Sequence, residues 1–375
     1  MWLYLMQDND LQVKIKKRKQ RRKENKILFG SIVLCIVTLS AITFCLIILF
    51  QYRASRMEAE EAMEQVTQLQ DNYTQDEVDA MVSRAAEEAA KQASEETKEE
   101  LIAEMKELLL SGEGALHMIR MFFPDEIVMV DGNEYYFFPI LDTLAKHPYL
   151  SENFIHTDEG FLEYYENGKL VSHKGIDVSR YQEKIEWDKV ANDGVEYAFI
   201  RLGIRGYTEG DIKEDDTFAY NIKGALNNNI AAGVYFFTQA TSEDEAKEEA
   251  EFVLDTLEPY NITYPVVIDV EAVSNKNART KDLTKEERTK YCITFCETIK
   301  QAGYTPMIYG NLKTFMLMLD IEQLEEYDKW FAYYDDEIYF PYQFKVWQYT
   351  DSGSIDGIKG DVDMNISFED LSGGF

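Results

Sequence analysis

Two carboxylates, Asp269 and Glu271, stand two positions apart in VVIDVEAV, residues 266–273, a run that otherwise reads as buried strand. Burying an unpaired carboxylate is costly, so two of them in one apolar segment need a reason. Alternate residues of a strand face the same side, which sets the two Cα atoms about 6.5 Å apart. Charges so close repel, and apolar surroundings add to the effect, so one acid of the pair is held protonated. One protonated and one ionised acid is what cleavage of a glycosidic bond requires. Two further acids sit in similar runs, Asp177 at the end of GIDVS and Asp363 in VDMNIS. Aromatic residues gather there too: Tyr235, Phe236, Tyr309, Trp330, Tyr333, Tyr334, Trp347 and Tyr349. Such rings either stack on the apolar faces of sugars or fill a core.

Other chemistries are excluded by what is missing. The four histidines, His117, His147, His156 and His173, all precede residue 174, so the C-terminal half has no histidine base and no histidine metal ligand. Cys292 and Cys296 lie four apart on an expected helix; that spacing without neighbouring ligands is a poor zinc signature and rarely meets disulfide geometry. No metal or cofactor is expected. The formal net charge of −31 argues against a nucleic-acid partner, because the phosphate backbone demands clustered Lys and Arg.

Something rigid must position the acids. From residue 174 onward eight short apolar runs recur: GIDVS, YAFIRLG, AAGVYFF, PVVIDVEAV, TPMIYG, KWFAYY, FKVWQYT and VDMNIS. Helical patterns lie between the early ones, over 216–229, 241–257 and 284–302, the last amphipathic with Cys292, Phe295, Cys296 and Ile299 on one face. Strands alternating with helices imply a parallel sheet covered on both faces. The last gaps are too short for helices, so the expected fold class is α/β, an incomplete TIM-like β/α barrel of eight strands with fewer helices. Working residues of such a barrel sit at the C-terminal ends of its strands.

The first 173 residues read differently. Residues 14–26 carry nine basic positions in thirteen, and residues 27–50 carry no charge over 24, enough for a helix to cross a hydrocarbon core of about 30 Å. The apolar stretch is too long for a cleavable signal, and no good cleavage site follows it. The expectation is a basic cytoplasmic tail over 1–26 and a membrane helix over 27–50, with the remainder outside the cell membrane. Residues 51–113 are rich in Ala, Glu and Lys with no proline and read as a helical stalk. It is either a coiled coil that self-associates or a solvated spacer. Residues 114–173 read as a small α+β module of unknown role, with a hairpin turn at Asp131-Gly132.

The motifs KGIDVSRYQEKIEWDKV, GVYFFTQATSEDEAKEEAEFVLDTL, YPVVIDVEAV and VWQYTDSGSIDGIKGDVDMN resemble, in order, those of glycoside hydrolase family 25, lysozymes of the cellosyl and phage-lysin type. The resemblance covers 174–375 and implies an incomplete β/α barrel. It also implies hydrolysis of the β-1,4 bond between N-acetylmuramic acid and N-acetylglucosamine in peptidoglycan, whose glycan strands would be the partner. It assigns Glu271 as proton donor and Asp269 as the residue that orients the substrate acetamido group or stabilises the ring cation. Asp177 and Asp363 match the two further acids of the family's cleft. With them Tyr235, Tyr309, Trp347, Gln348 and Arg201 are the expected substrate-binding residues. Two departures stand out: Phe236 where the family often has His, expected to cost one polar groove contact, and Arg201 where it often has Lys, which is not a neutral exchange. The competing expectation is a wall-binding scaffold that kept the barrel without strong catalysis.

Overall fold

The computed structural model describes residues 75–110, 114–157, 160–335 and 337–373. The expected tail and membrane helix, 1–26 and 27–50, lie outside the described residues, as does the first part of the stalk. Among the described residues no helix is long and apolar enough to cross a membrane. Helix α1, Gln75–Leu110, lies within the segment expected to be a stalk. Its apolar Met81, Val82, Leu101 and Ile102 are exposed.

Helix α2 (Gly114–Phe122) leads into a hairpin of β1 (Glu126–Asp131) and β2 (Glu134–Pro139), antiparallel, with Asp131 opposite Glu134. Gly132 takes a positive φ of 62° in its turn, a conformation that favours glycine. A second antiparallel sheet follows, β3 (Phe154–His156), β4 (Leu162–Glu166) and β5 (Lys169–Leu170). These elements share the core of what comes next. Ile127, Met129, Leu144, Phe161 and Tyr164 belong to one buried cluster with the outer residues of the barrel.

The barrel is built from β6 (His173–Val178), β7 (Tyr197–Arg205), β9 (Ala231–Phe237), β10 (Val266–Asp269), β11 (Pro306–Asn311), β12 (Asp328–Ala332), β13 (Val346–Gly353) and β14 (Val362–Ser367). The short β8 (Ile212–Glu214) flanks β7. All eight expected runs are strands, and pairing of β6 with both β7 and β14 closes the cylinder. The fully parallel sheet expected from the early repeats is corrected at one strand: β14 runs antiparallel to both neighbours, because the connection before it is too short to carry a crossover helix. Helices α3 (Trp187–Asn192), α4 (Phe218–Asn227), α5 (Glu243–Leu257) and α6 (Lys285–Gln301) cover the outside. Thr284 caps α6 by a reciprocal bond with Glu287, which fixes where the helix begins.

Alternation sorts the strand residues into two cores. Tyr197, Phe199, Val267, Met307, Trp330 and Val346 point inward and fill the cylinder, while Ala198, Ile200, Ile268, Ile308, Phe331 and Ile366 point outward. The interior is tight. A Cβ on Gly175 would lie 2.1 Å from the Tyr197 ring, so only glycine lets β6 pass that ring.

Candidate active site

The inward positions at one rim hold the chemistry. Asp177 lies next to the end of β6, Asp269 ends β10, Tyr309 lies near the end of β11, Gln348 lies on β13, and Asp363 is the second residue of the reversed β14. An antiparallel last strand brings its start, not its end, to the working rim.

Strand β10 stops at Asp269, so Glu271 is carried by the segment after it rather than by the strand as expected. The backbone there is pinned: Thr238 N–H donates to the Asp269 carbonyl at 3.1 Å, Val270 N–H to the Tyr309 carbonyl at 3.2 Å, and Thr314 Oγ1 to the Val270 carbonyl at 2.8 Å. The two side chains still meet and share a hydrogen bond. Burial, joined for Asp269 by the neighbouring Glu271 and Asp177 charges, holds Asp269 well above the usual carboxylate range. Burial raises Glu271 as well, while its hydrogen bond to Asp269 works against the rise. The pair therefore keeps a proton to higher pH than two separate carboxylates would. Asp269 is the deeper member, 4% exposed, and its Oδ1 has no hydrogen-bond partner. Glu271 reaches the open cleft beside Tyr309 and Tyr334.

Asp177 is held by a chain of oriented amides. Its Oδ2 accepts from Gln348 Nε2 at 2.7 Å and from Asn365 Nδ2 at 2.9 Å. Gln348 Oε1 accepts from the hydroxyls of Tyr309 at 2.8 Å and Tyr334 at 2.7 Å. Asn365 Oδ1 accepts from Trp330 Nε1 at 2.7 Å. Because both tyrosines donate to the Gln348 oxygen, its nitrogen is turned toward Asp177. Burial raises Asp177 to about 6 against those two bonds. Asp363, raised to about 8 by burial and by the nearby Asp177 and Asp351 charges, is its neighbour across the sheet.

Arg201 points to the same rim and forms an ion pair with Asp215 at 2.7 Å. Burial pushes Asp215 up, but the Thr217 hydroxyl and amide and the Arg201 charge outweigh it and hold the carboxyl below its usual range. Arg201 also lowers Asp269 and Tyr235, so it is a fixed positive charge beside the acids.

Eight of the nine expected site residues thus come together: Glu271, Asp269, Asp177, Asp363, Tyr235, Tyr309, Gln348 and Arg201. Trp347 does not. It alternates with Val346 and Gln348 and therefore faces outward, 1% exposed, donating to the Tyr333 carbonyl at 2.7 Å and packed edge-on against Phe154 at 5.4 Å. Phe236 is likewise outward, against Phe252 at 6.1 Å, so it replaces no groove contact. Two residues were missed as site members, Asn365 and Asp215, and Tyr334, left open between sugar stacking and core, falls at the site. Asn365 carries a legible signal, because it stands two positions after Asp363 and shares its inward face.

The family model for glycosyl hydrolases family 25 matches residues 176–358. YegX of Escherichia coli O6:H1 is 32% identical over 212 residues, 53% of this chain and 72% of that protein. The chain belongs to glycosyl hydrolases family 25. A further relative, the autolytic lysozyme of Clostridium acetobutylicum, is 25% identical over 193 residues, 51% of this chain and 55% of that one. Among solved structures, the modular autolysin LytC of Streptococcus pneumoniae, in complex with a synthetic peptidoglycan ligand, is 28% identical with a TM-score of 0.49. That alignment covers 57% of this chain and 52% of LytC. The chain spans about half the length of the autolytic lysozyme and of LytC. As a family 25 member the protein is a glycoside hydrolase.

Proposed function

We propose that this family 25 hydrolase is an N-acetylmuramidase cutting the β-1,4 bond between N-acetylmuramic acid and N-acetylglucosamine in peptidoglycan. The helix expected over 27–50 would hold it at the outer face of a cell membrane, where it would remodel the wall. The observation that carries the reading is the Asp269–Glu271 pair, joined by a hydrogen bond and raised by burial at the barrel mouth. The autolytic lysozyme relative supports the substrate class. The nine basic residues in 14–26 ahead of the uncharged 27–50 support the orientation.

The chemistry follows from which member of the pair meets which atom. Asp269 Oδ1, buried and without a protein partner, is an acceptor for the N–H of a sugar acetamido group. That bond favours the ionised form of Asp269 and leaves the shared proton on Glu271, which faces the cleft. Glu271 gives the proton to the glycosidic oxygen as the bond from C1 to that oxygen breaks. Either the acetamido oxygen or a water closes on C1. In the first case water then opens the cyclic intermediate, losing its proton to Glu271; in the second the attacking water loses its proton to the ionised Asp269. Positive charge developing on the sugar ring is met by the ionised Asp269.

Muropeptide analysis after digestion tests the reading. New reducing ends on N-acetylmuramic acid, absent with Glu271→Gln, are expected. Reducing ends on N-acetylglucosamine would assign a different bond, and peptidoglycan that is bound but never cut would make the protein a wall-binding scaffold. Protease shaving of intact cells tests the anchor: barrel peptides should be released and residues 1–26 retained.

A further inference from the structure

We infer that residues 114–172 are part of the substrate groove, building glycan subsites on both flanks of the catalytic acids. The inference rests on the muramidase reading and extends it to a part of the chain outside the family match. On one flank a cleft of about 460 Å³ joins Glu271 and Tyr309 to Leu116, Met129 and Val130, which come from α2 and β1. On the other a cleft of about 510 Å³ sets His156, Phe161 and Leu162, from β3, β4 and the turn between them, against Ser352 and Asp335. Tyr334 lines both clefts, is 51% exposed, and donates to Gln348, the residue that holds Asp177. The two clefts therefore meet at one tyrosine, the first holding Glu271 and the second running on past Tyr349 and Met364.

These walls are fixed to the barrel. Arg120 donates to the Tyr333 hydroxyl at 3.0 Å and lies 3.5 Å over the Tyr339 ring. Lys313 pairs with Asp131 at 2.7 Å. Leu162 N–H donates to the Tyr349 hydroxyl at 3.3 Å, and Tyr149 stacks on Phe368 at 3.6 Å. A preformed wall orients a long ligand without the cost of ordering a loop. The occupant that fits is the amino-sugar polymer being cut, since it must pass Glu271 and the cleft there continues directly onto Val130. Apolar side chains suit the faces of sugar rings. Arg120 and the Asp131-paired Lys313 add positive charge to the wall on the Glu271 flank.

The full-length protein in detergent, its Val130→Asp and His156→Ala variants, and two substrates test this: polymeric peptidoglycan and a tetrasaccharide from it. Each variant should lower the ratio of polymer to tetrasaccharide turnover by about tenfold, through KM. A variant-independent arm measures hydrogen exchange of full-length Glu271→Gln with and without long glycan strands; amides of 126–131 and 154–162 should be protected together with the barrel rim. Unchanged ratios in folded variants, or protection confined to the barrel, would overturn the subsites while leaving the muramidase reading intact. Failure of the unsubstituted protein to cut either substrate would instead sink that reading.

Discussion

Asp177 and Asp363 are direct partners across the antiparallel β6–β14 pair, so the closing strand of the barrel sets two acids face to face at the working rim. Burial raises both, Asp177 to about 6 with the Glu271 charge adding and Asp363 to about 8 with the Asp177 and Asp351 charges adding, from an ordinary 3.8; like charges directly opposite one another also destabilise a sheet. A folded-state value above the unfolded one favours the protonated native state. The stability this supplies is fully present below pH 4 and is lost as the pH rises through 6 and 8. Asp363→Asn should therefore gain on the parent as the pH rises. Thermal melts at pH 5 and pH 8 check this: the difference in Tm between variant and parent should be more positive at pH 8, and equal differences would remove the proposed repulsion.

Gln348 carries three bonds at once, one to Asp177 and two from tyrosine hydroxyls. Gln348→Leu keeps the bulk and removes all three. Each buried group left without a partner costs about 1–3 kcal/mol, so the melting temperature should fall. Turnover should fall further than stability, because Tyr309 and Tyr334 lose the acceptor that orients them. Calorimetry and peptidoglycan turnover on the same preparation separate the two effects.

Much of this site was legible in the residues, and the reason is strand periodicity. Eight apolar runs became eight barrel strands, and alternation places Asp177, Asp363, Tyr235 and Gln348 on the inward face. The same rule would have placed Asn365 inward and Trp347 outward. Trp347 was assigned from the clustering of aromatic residues in these runs, where an aromatic side chain at a groove and one under a packed layer look alike. What periodicity does not carry is contact between segments far apart in sequence. Asp215 anchors Arg201 from 14 residues away through a flanking hairpin, and Tyr334 lies beyond the end of β12. The docking of residues 114–172 rests on packing of Ile127, Phe161 and Tyr164 into the outer core, which no pattern within that segment announces.

Trp347 and Tyr334 make a matched pair of aromatic tests. Trp347→Ala opens a cavity beneath Phe154 and Tyr333 and should cost about 3–5 kcal/mol of stability, with KM unchanged in material that remains folded. Tyr334→Ala, half exposed at the junction of the two clefts, should shift stability by at most about 1 kcal/mol and raise KM several-fold. Denaturant unfolding and steady-state kinetics read the contrast. The opposite pattern would put the tryptophan back in the groove.

Glu271 and Asp269 share a hydrogen bond but differ in what they face, and that difference separates their substitutions. Glu271→Gln removes the acid and should lower kcat on peptidoglycan by about 10²–10⁴ with little change in KM. Its defect depends on the leaving group. An aryl glycoside, whose phenolate departs without a proton, should restore much of the lost rate to Glu271→Gln. Asp269→Asn is different: its amide cannot carry the negative charge that meets the sugar cation, nor accept from the acetamido N–H with the strength of a carboxylate. That loss lies on the attacking side of C1, so a better leaving group should not repair it. Rates of both variants on the polymer and on the aryl substrate decide the assignment. Rescue of Asp269→Asn alone would exchange the two roles, placing the acid on the deeper residue.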